Sequence, residues 1–143
     1  MILYALDSCV LMSHDVDRLV CDEHRQVIIP TMVLFELQLK DDRIHIYKKL
    51  SRYTGLKQLT MDGRVVPVQA KESEMFVQDL STKRMKSWGN DEAILDACRM
   101  GMQRHKGVKI VLVTDDVLMR LKAYSFSVTA LSSVDYLANK TAN

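Results

Sequence analysis

The sequence predicts an α/β domain built on a mostly parallel sheet, and three observations lead there. Two short runs, Ile2–Leu6 and the Ile110–Val113 centre of Lys109–Thr114, are apolar at successive positions. Strands buried on both faces of a parallel sheet need that, because neither face meets water. Between them Ile94, Ala97, Cys98 and Gly101 recur at helical spacing, i, i+3, i+4 and i+7, on one face. Strand and helix patterns alternate along the chain, and parallel strands need such crossovers.

The other elements follow from local chemistry. Val27–Ile29 reads as a third strand, closed by Pro30, whose ring removes an amide donor. Ser127–Thr129 reads as a fourth. Thr31 is placed to N-cap a helix running through Leu39, and Asn90 to cap the helix that carries Ile94. A further helix follows Asp116, with Leu118, Leu121 and Lys122 in its turns. The middle, from about Asp41 to Ser87, reads as helix with polar loops.

Composition narrows the class. With 143 residues, 48% hydrophobic and 27% charged, the chain suits a single globular domain over 1–143 and not a disordered one. Lys plus Arg number 20 against 18 Asp plus Glu, a net charge of +2. That excludes a polybasic coat protein but leaves room for a nucleic-acid enzyme with segregated charge. Met1–Leu6 lacks a basic leader and meets Asp7 too soon for a signal peptide. No apolar run approaches the roughly 18 residues of a membrane span. Three cysteines without a CxxC fit a reduced compartment, so a soluble, cytoplasmic protein is expected. Cys21 and His24 have a metal-like spacing, but no second such pair completes a zinc site.

The chemistry lies in where the acids fall. Asp7 directly follows the first strand, and Asp115–Asp116 directly follow Thr114. Ligands of open α/β sheets bind beyond the carboxyl ends of strands, at the switch point of the topology. If the first strand and Ile110–Val113 are neighbours, Asp7 and Asp116 share one crevice. Glu36 is the lone charge in Met32–Leu37, and a buried carboxylate needs a cation or a proton. Asp91 opens a helix, with Glu92 beside it. Carboxylates without histidines make an oxygen-only site, which suits Mg²⁺ or Mn²⁺ and the activation of water for attack at phosphorus. Each acid also has a plainer role: Asp116 as an N-cap, Asp91 and Glu92 as complements to a helix dipole, Asp115 as a cap or solvated turn. Ser8 and Thr114 fit either water and phosphate positioning or turn chemistry. Asp96, five residues past Asp91, falls off its face. The four histidines, His14, His24, His45 and His105, read as surface residues. An Asp-x-Asp phosphatase is excluded by Cys9.

Four segments together resemble the PIN domain family of metal-dependent ribonucleases. They are Ala5–Leu11, Ile29–Leu37, Asn90–Leu95 and Val111–Asp116. Asp7-Ser8 matches the Asp-Ser/Thr pair after the first strand, Glu36 the acid of the next apolar helix, and Asp91 the acid opening a later helix. Asp116 matches the acid two residues after a strand-terminal Thr, with Asp115 its neighbour. The resemblance implies a Rossmann-like three-layer α/β/α sandwich, with Asp7, Glu36, Asp91 and Asp116 as metal-binding, catalytic residues. It departs at Cys9, where the family often has Asn, and a supporting hydrogen bond goes with it. Leu118–Ala123 is most similar to PIN domains fused to PhoH-type ATPases, though this chain holds no P-loop.

The bases are unevenly spread. Arg43, Lys48, Lys49, Arg52, Lys57 and Arg64 face the single acid Asp62 within Arg43–Arg64, a stretch that also holds Tyr47 and Tyr53. Lys83, Arg84 and Lys86 precede Trp88. Solvated helix faces explain such runs as well as an RNA-tracking rim with stacking aromatics does. Arg120 and Lys122 follow Asp116 closely enough to reach a scissile phosphate. The expectation is a Mg²⁺- or Mn²⁺-dependent endoribonuclease. The alternative is a degenerate PIN module that binds RNA or a protein partner without cutting. By resemblance, an antitoxin partner or a homodimer is also in view.

Overall fold

The computed structural model describes residues 1–21, 25–39, 41–68 and 89–138. Six strands form one sheet in the order β4-β3-β2-β1-β5-β6. They are β1 (Ile2–Leu6), β2 (Gln26–Pro30), β3 (Lys57–Leu59), β4 (Val65–Pro67), β5 (Lys109–Val113) and β6 (Thr129–Leu131). All neighbours run parallel except β3 and β4, which pair antiparallel. Four successive residues are buried in each of β1, β2 and β5. Since successive side chains point to opposite faces, both faces of the sheet centre are covered, as in an α/β/α sandwich.

Among the described residues the helices are α1 (Ser8–Ser13), α2 (Val16–Val20), α3 (Thr31–Gln38), α4 (Ile44–Leu50), α5 (Asn90–Arg104), α6 (Val117–Ser125) and α7 (Ser133–Ala138). Helix α5 carries Ile94, Ala97, Cys98 and Gly101 inward, as their spacing demands. Gly63 sits in the β3–β4 turn at φ +88, where a Cβ would stand 2.5 Å from the Met100 carbonyl carbon. Only glycine allows that turn to lie against α5. The chain runs β1→β2→β3 outward on one side and returns to place β5 on the other side of β1. The switch point therefore falls between β1 and β5, whose registered residues end at Leu6 and Val113.

Several local expectations change. The strand expected at Ser127–Thr129 begins at Thr129, because Ser127 takes the left-handed φ of 58 that ends the turn after α6. Pro30, not Thr31, occupies the N-cap of α3. The Thr31 hydroxyl instead donates to the Leu59 carbonyl and accepts from the Gln58 amide, tying α3 to β3. Gly89 holds the N-cap of α5, which releases Asn90 for another partner. The middle is helical at α4, but Lys57–Leu59 and Val65–Pro67 form a hairpin that extends the sheet. Asp62 of that hairpin is partly buried, yet hydrogen bonds from the Thr60 hydroxyl and Arg64, with the charges of Arg64 and Arg104, hold its carboxyl below the usual range. The stretch 69–88 lies outside the described residues. No helix among the described residues is long and apolar enough to cross a membrane.

Candidate active site

The centre of the site is Asp7, one residue past β1 and only 7% exposed. Its amide continues the ladder by donating to the Val113 carbonyl at 3.0 Å, so the β1–β5 seam fixes its backbone. Oδ1 accepts the Ser8 amide at 2.8 Å and Oδ2 accepts the Thr114 hydroxyl at 2.7 Å. Burial pushes the Asp7 carboxyl up; these hydrogen bonds oppose the shift, and the charge of Asp91 adds to it. Ser8 contributes its backbone here, while the Thr114 hydroxyl serves the acid directly. The Cys9 thiol lies 3.5 Å from Asp7 Oδ2 and 3.4 Å from the Thr114 hydroxyl. The Cys9 thiol thus makes long, weak sulfur contacts with both groups.

Glu36 comes from α3 and meets the same group. Its carboxyl is pushed up to about 7, first by burial and then by the charges of Asp7 and Asp91. Asn90 hydrogen-bonds it and Arg43 draws it the other way. Oε1 of Glu36 is buried with no hydrogen-bond partner. Asp91, in the first turn of α5, completes this set of mutually repelling acids. Its Oδ2 lies 3.5 Å from the Lys122 ammonium, which also meets Glu92 at 3.1 Å. Sequence reasoning passed over Asn90 as a partner of Glu36. Its place beside Asp91, after a glycine able to take the cap, was the available signal.

Asp116 stands differently. Its amide donates to the Thr114 hydroxyl at 3.2 Å, which links it to Asp7 through one oxygen. Its Oδ1 accepts the Leu118 and Met119 amides and caps α6, the plainer of the two roles expected of it. Asp115 turns away from the acids. Its oxygens accept the Ser133 amide at 2.7 Å and the Ser133 hydroxyl at 2.8 Å, and His14 Nε2 lies 2.9 Å from that hydroxyl. These bonds, with the charges of His14 and Arg120, hold the Asp115 carboxyl below its usual range despite some burial. His14 is thus a half-buried partner and not a free surface residue. Asp96 is buried and bonded by Arg99 of its own helix.

Among the described residues, no three His, Cys, Asp or Glu side chains are grouped closely enough to grip a metal ion as they stand. Asp7, Glu36 and Asp91 nonetheless fit a hard divalent cation. They are oxygen donors whose charges oppose one another, and one buried carboxylate oxygen is unbonded. Of the expected RNA contacts, Lys48 and Arg52 are exposed on and just after α4. Lys49 is tied to Asp15 and Asp17. Arg120 turns back, donating to the Thr114 carbonyl at 2.8 Å, so it braces the end of β5 instead of facing outward. Lys83, Arg84 and Lys86 lie outside the described residues.

A family model described as PIN domain matches residues 4–134. No curated protein matches the chain.

Proposed function

The chain belongs to the PIN domain family, whose members are generally nucleases, and from that membership we propose that it is a divalent-metal-dependent endoribonuclease. The observation that carries the reading is the coupling of Asp7, Glu36 and Asp91 beyond the β1–β5 switch point, with Glu36 Oε1 buried and unbonded. Burial and the charges of Asp7 and Asp91 raise the proton affinity of Glu36, a costly arrangement unless a cation offsets it. In the proposed site Asp7, Glu36 and Asp91 hold Mg²⁺ or Mn²⁺, and Asp116 closes the set from the start of α6. Bound there, the cation supplies Lewis acidity toward water and the phosphodiester.

The chain's own groups then have distinct tasks. The Thr114 hydroxyl and the Ser8 amide keep the Asp7 carboxylate oriented. Asn90 holds Glu36. Lys122 satisfies Asp91 when no cation is near, and it must yield when one binds. Lys48 and Arg52 offer exposed charge along which a single strand of RNA tracks.

A binding-only module is the second reading, and two observations favour it: Asp116 spends an oxygen on capping α6, and Lys122 already neutralises Asp91. Incubation with a labelled single-stranded RNA, its DNA counterpart and an RNA duplex, in Mn²⁺ and in chelator, separates the two. The nuclease reading expects Mn²⁺-dependent cuts within the single-stranded RNA. RNA retention without cleavage under Mg²⁺ or Mn²⁺ selects the binding module.

A further inference from the structure

Lys122 lies in the last turn of α6, and its ammonium crosses to the first turn of α5. It stands 3.1 Å from Glu92 Oε1 and 3.5 Å from Asp91 Oδ2. All three side chains are partly open to water, at 43% for Lys122, 37% for Asp91 and 34% for Glu92. A solute can therefore reach the ammonium where it stands. Other bases expected to meet RNA are less available. Arg120 donates back to the Thr114 carbonyl, Arg43 Nε is buried, and Lys49 is held by Asp15 and Asp17.

The two acids ask different things of this one group. Asp91 is placed among the cation ligands, and Glu92 beside it is not. A divalent cation on Asp91 and an ammonium 3.5 Å from the same carboxylate repel each other, so the ammonium has to give way. Glu92 is the nearer partner, so Lys122 can release Asp91 and still remain at the edge of the site. An ammonium carries three donors on a flexible stem. One stays on Glu92, and the others are freed beside the cation, where a phosphate oxygen drawn by that cation arrives. Trading a carboxylate for a phosphate keeps the ammonium paired before and after substrate binds.

We infer that Lys122 is a further substrate-binding residue. Without a cation its ammonium pairs with Asp91; once a divalent cation takes Asp91, the ammonium holds on to Glu92 and grips the scissile phosphate of RNA. This rests on the nuclease reading, and its test separates the two. Mn²⁺ affinity is read first, by electron paramagnetic resonance on the full chain without RNA. It should rise about threefold in Lys122→Met, the scale of one exposed ion pair removed from Asp91.

The bond cut by the wild type in Mn²⁺ is then mapped. A 2′-O-methyl RNA carrying a neutral methylphosphonate at that bond is compared with its all-phosphate form by fluorescence anisotropy in Ca²⁺. In the wild type the neutral linkage loses the hold of both the cation and the ammonium. In Lys122→Met the all-phosphate RNA binds about tenfold more weakly, the scale of one lost charged hydrogen bond, and the methylphosphonate penalty shrinks by the same factor. In Arg52→Ala the penalty stays that of the wild type. Lys122→Arg, which keeps the charge and guards against a folding artefact, recovers most of the RNA affinity and returns Mn²⁺ affinity toward the wild-type value. A methylphosphonate penalty as large in Lys122→Met as in the wild type, or an unchanged Mn²⁺ affinity, overturns the Lys122 inference alone. A wild type that cuts no RNA overturns the nuclease reading and the inference with it.

Discussion

The Thr114 hydroxyl donates to Asp7 Oδ2 at 2.7 Å, joining the ends of two neighbouring strands that lie 107 residues apart in the chain. The same oxygen accepts the Asp116 amide at 3.2 Å. One fully buried hydroxyl thus sets both the orientation of the central acid and the path of the chain into α6. Thr114→Val keeps the shape and removes the donor. It should lower Tm by about 5 °C, since a buried carboxylate loses a hydrogen bond worth about 1–3 kcal/mol. RNA cleavage should fall with it. Thr114→Ser restores the hydroxyl and should recover most of both. Equal stability and activity in the valine variant would show that Asp7 does not depend on this bond.

Glu36 makes apo stability depend on pH in an unusual sense. Its carboxyl rises from 4.5 to about 7 on folding, so the folded chain binds more protons than the unfolded chain between those values. Stability from this group is complete below about 4.5 and is lost as pH rises through about 7. Asp7, also raised, adds to the same slope above its ordinary range. Metal-free protein should therefore lose stability between pH 5 and 7.5. Glu36→Gln should flatten that loss, and Asp7→Asn should raise the apo Tm by about 3 °C at pH 7.5. Mn²⁺ should raise the wild-type Tm most at the high end of this range. Chemical denaturation across pH, with and without Mn²⁺, checks all three. A wild-type profile that rises with pH would contradict the assignment.

Asp115 is assigned to structure. It joins the loop after β5 to the start of α7 through both Ser133 bonds and reaches His14 at the end of α1. Asp115→Ala leaves the Ser133 amide and hydroxyl without their acceptor, which should cost about 1–2 kcal/mol. Calorimetry should show that loss while Mn²⁺ affinity stays within about threefold of wild type. A tenfold loss of Mn²⁺ affinity without a loss of stability would return Asp115 to the metal set.

Much of this arrangement was legible in the sequence because buried parallel strands announce themselves. The apolar centres of the β1 and β5 runs each end beside the hydrogen-bonded pair of Asp7 and Thr114. Glu36 was legible as a charge stranded among Met32, Val33, Leu34, Phe35 and Leu37. The edge of the sheet was not. Strands β3 and β4 are three residues each, too short for a period to show. Side-chain partnership was also beyond a one-dimensional reading. Nothing in the spacing of Asp115 and Asp116 says that one binds Ser133, far along the chain, while the other caps α6. Charge runs were similarly ambiguous: Arg43 and Lys49 belong to one basic stretch, yet one guanidinium nitrogen is buried and unbonded and the other side chain is spent on Asp15 and Asp17.

The most direct test is the single-turnover rate of RNA cleavage in Mn²⁺ for wild type, Asp7→Asn, Glu36→Gln, Asp91→Asn and Asp116→Asn, each also run with excess chelator. Chelator should stop the wild type, and the first three substitutions should each slow cleavage by about a hundredfold or more, the scale of removing one preorganised electrostatic group. Asp116→Asn, which keeps an oxygen to cap α6, should cost less. Rates that stay within about threefold of wild type in Asp7→Asn and Glu36→Gln, or cleavage that survives chelator, would contradict the claim that these acids form a metal-dependent nuclease centre.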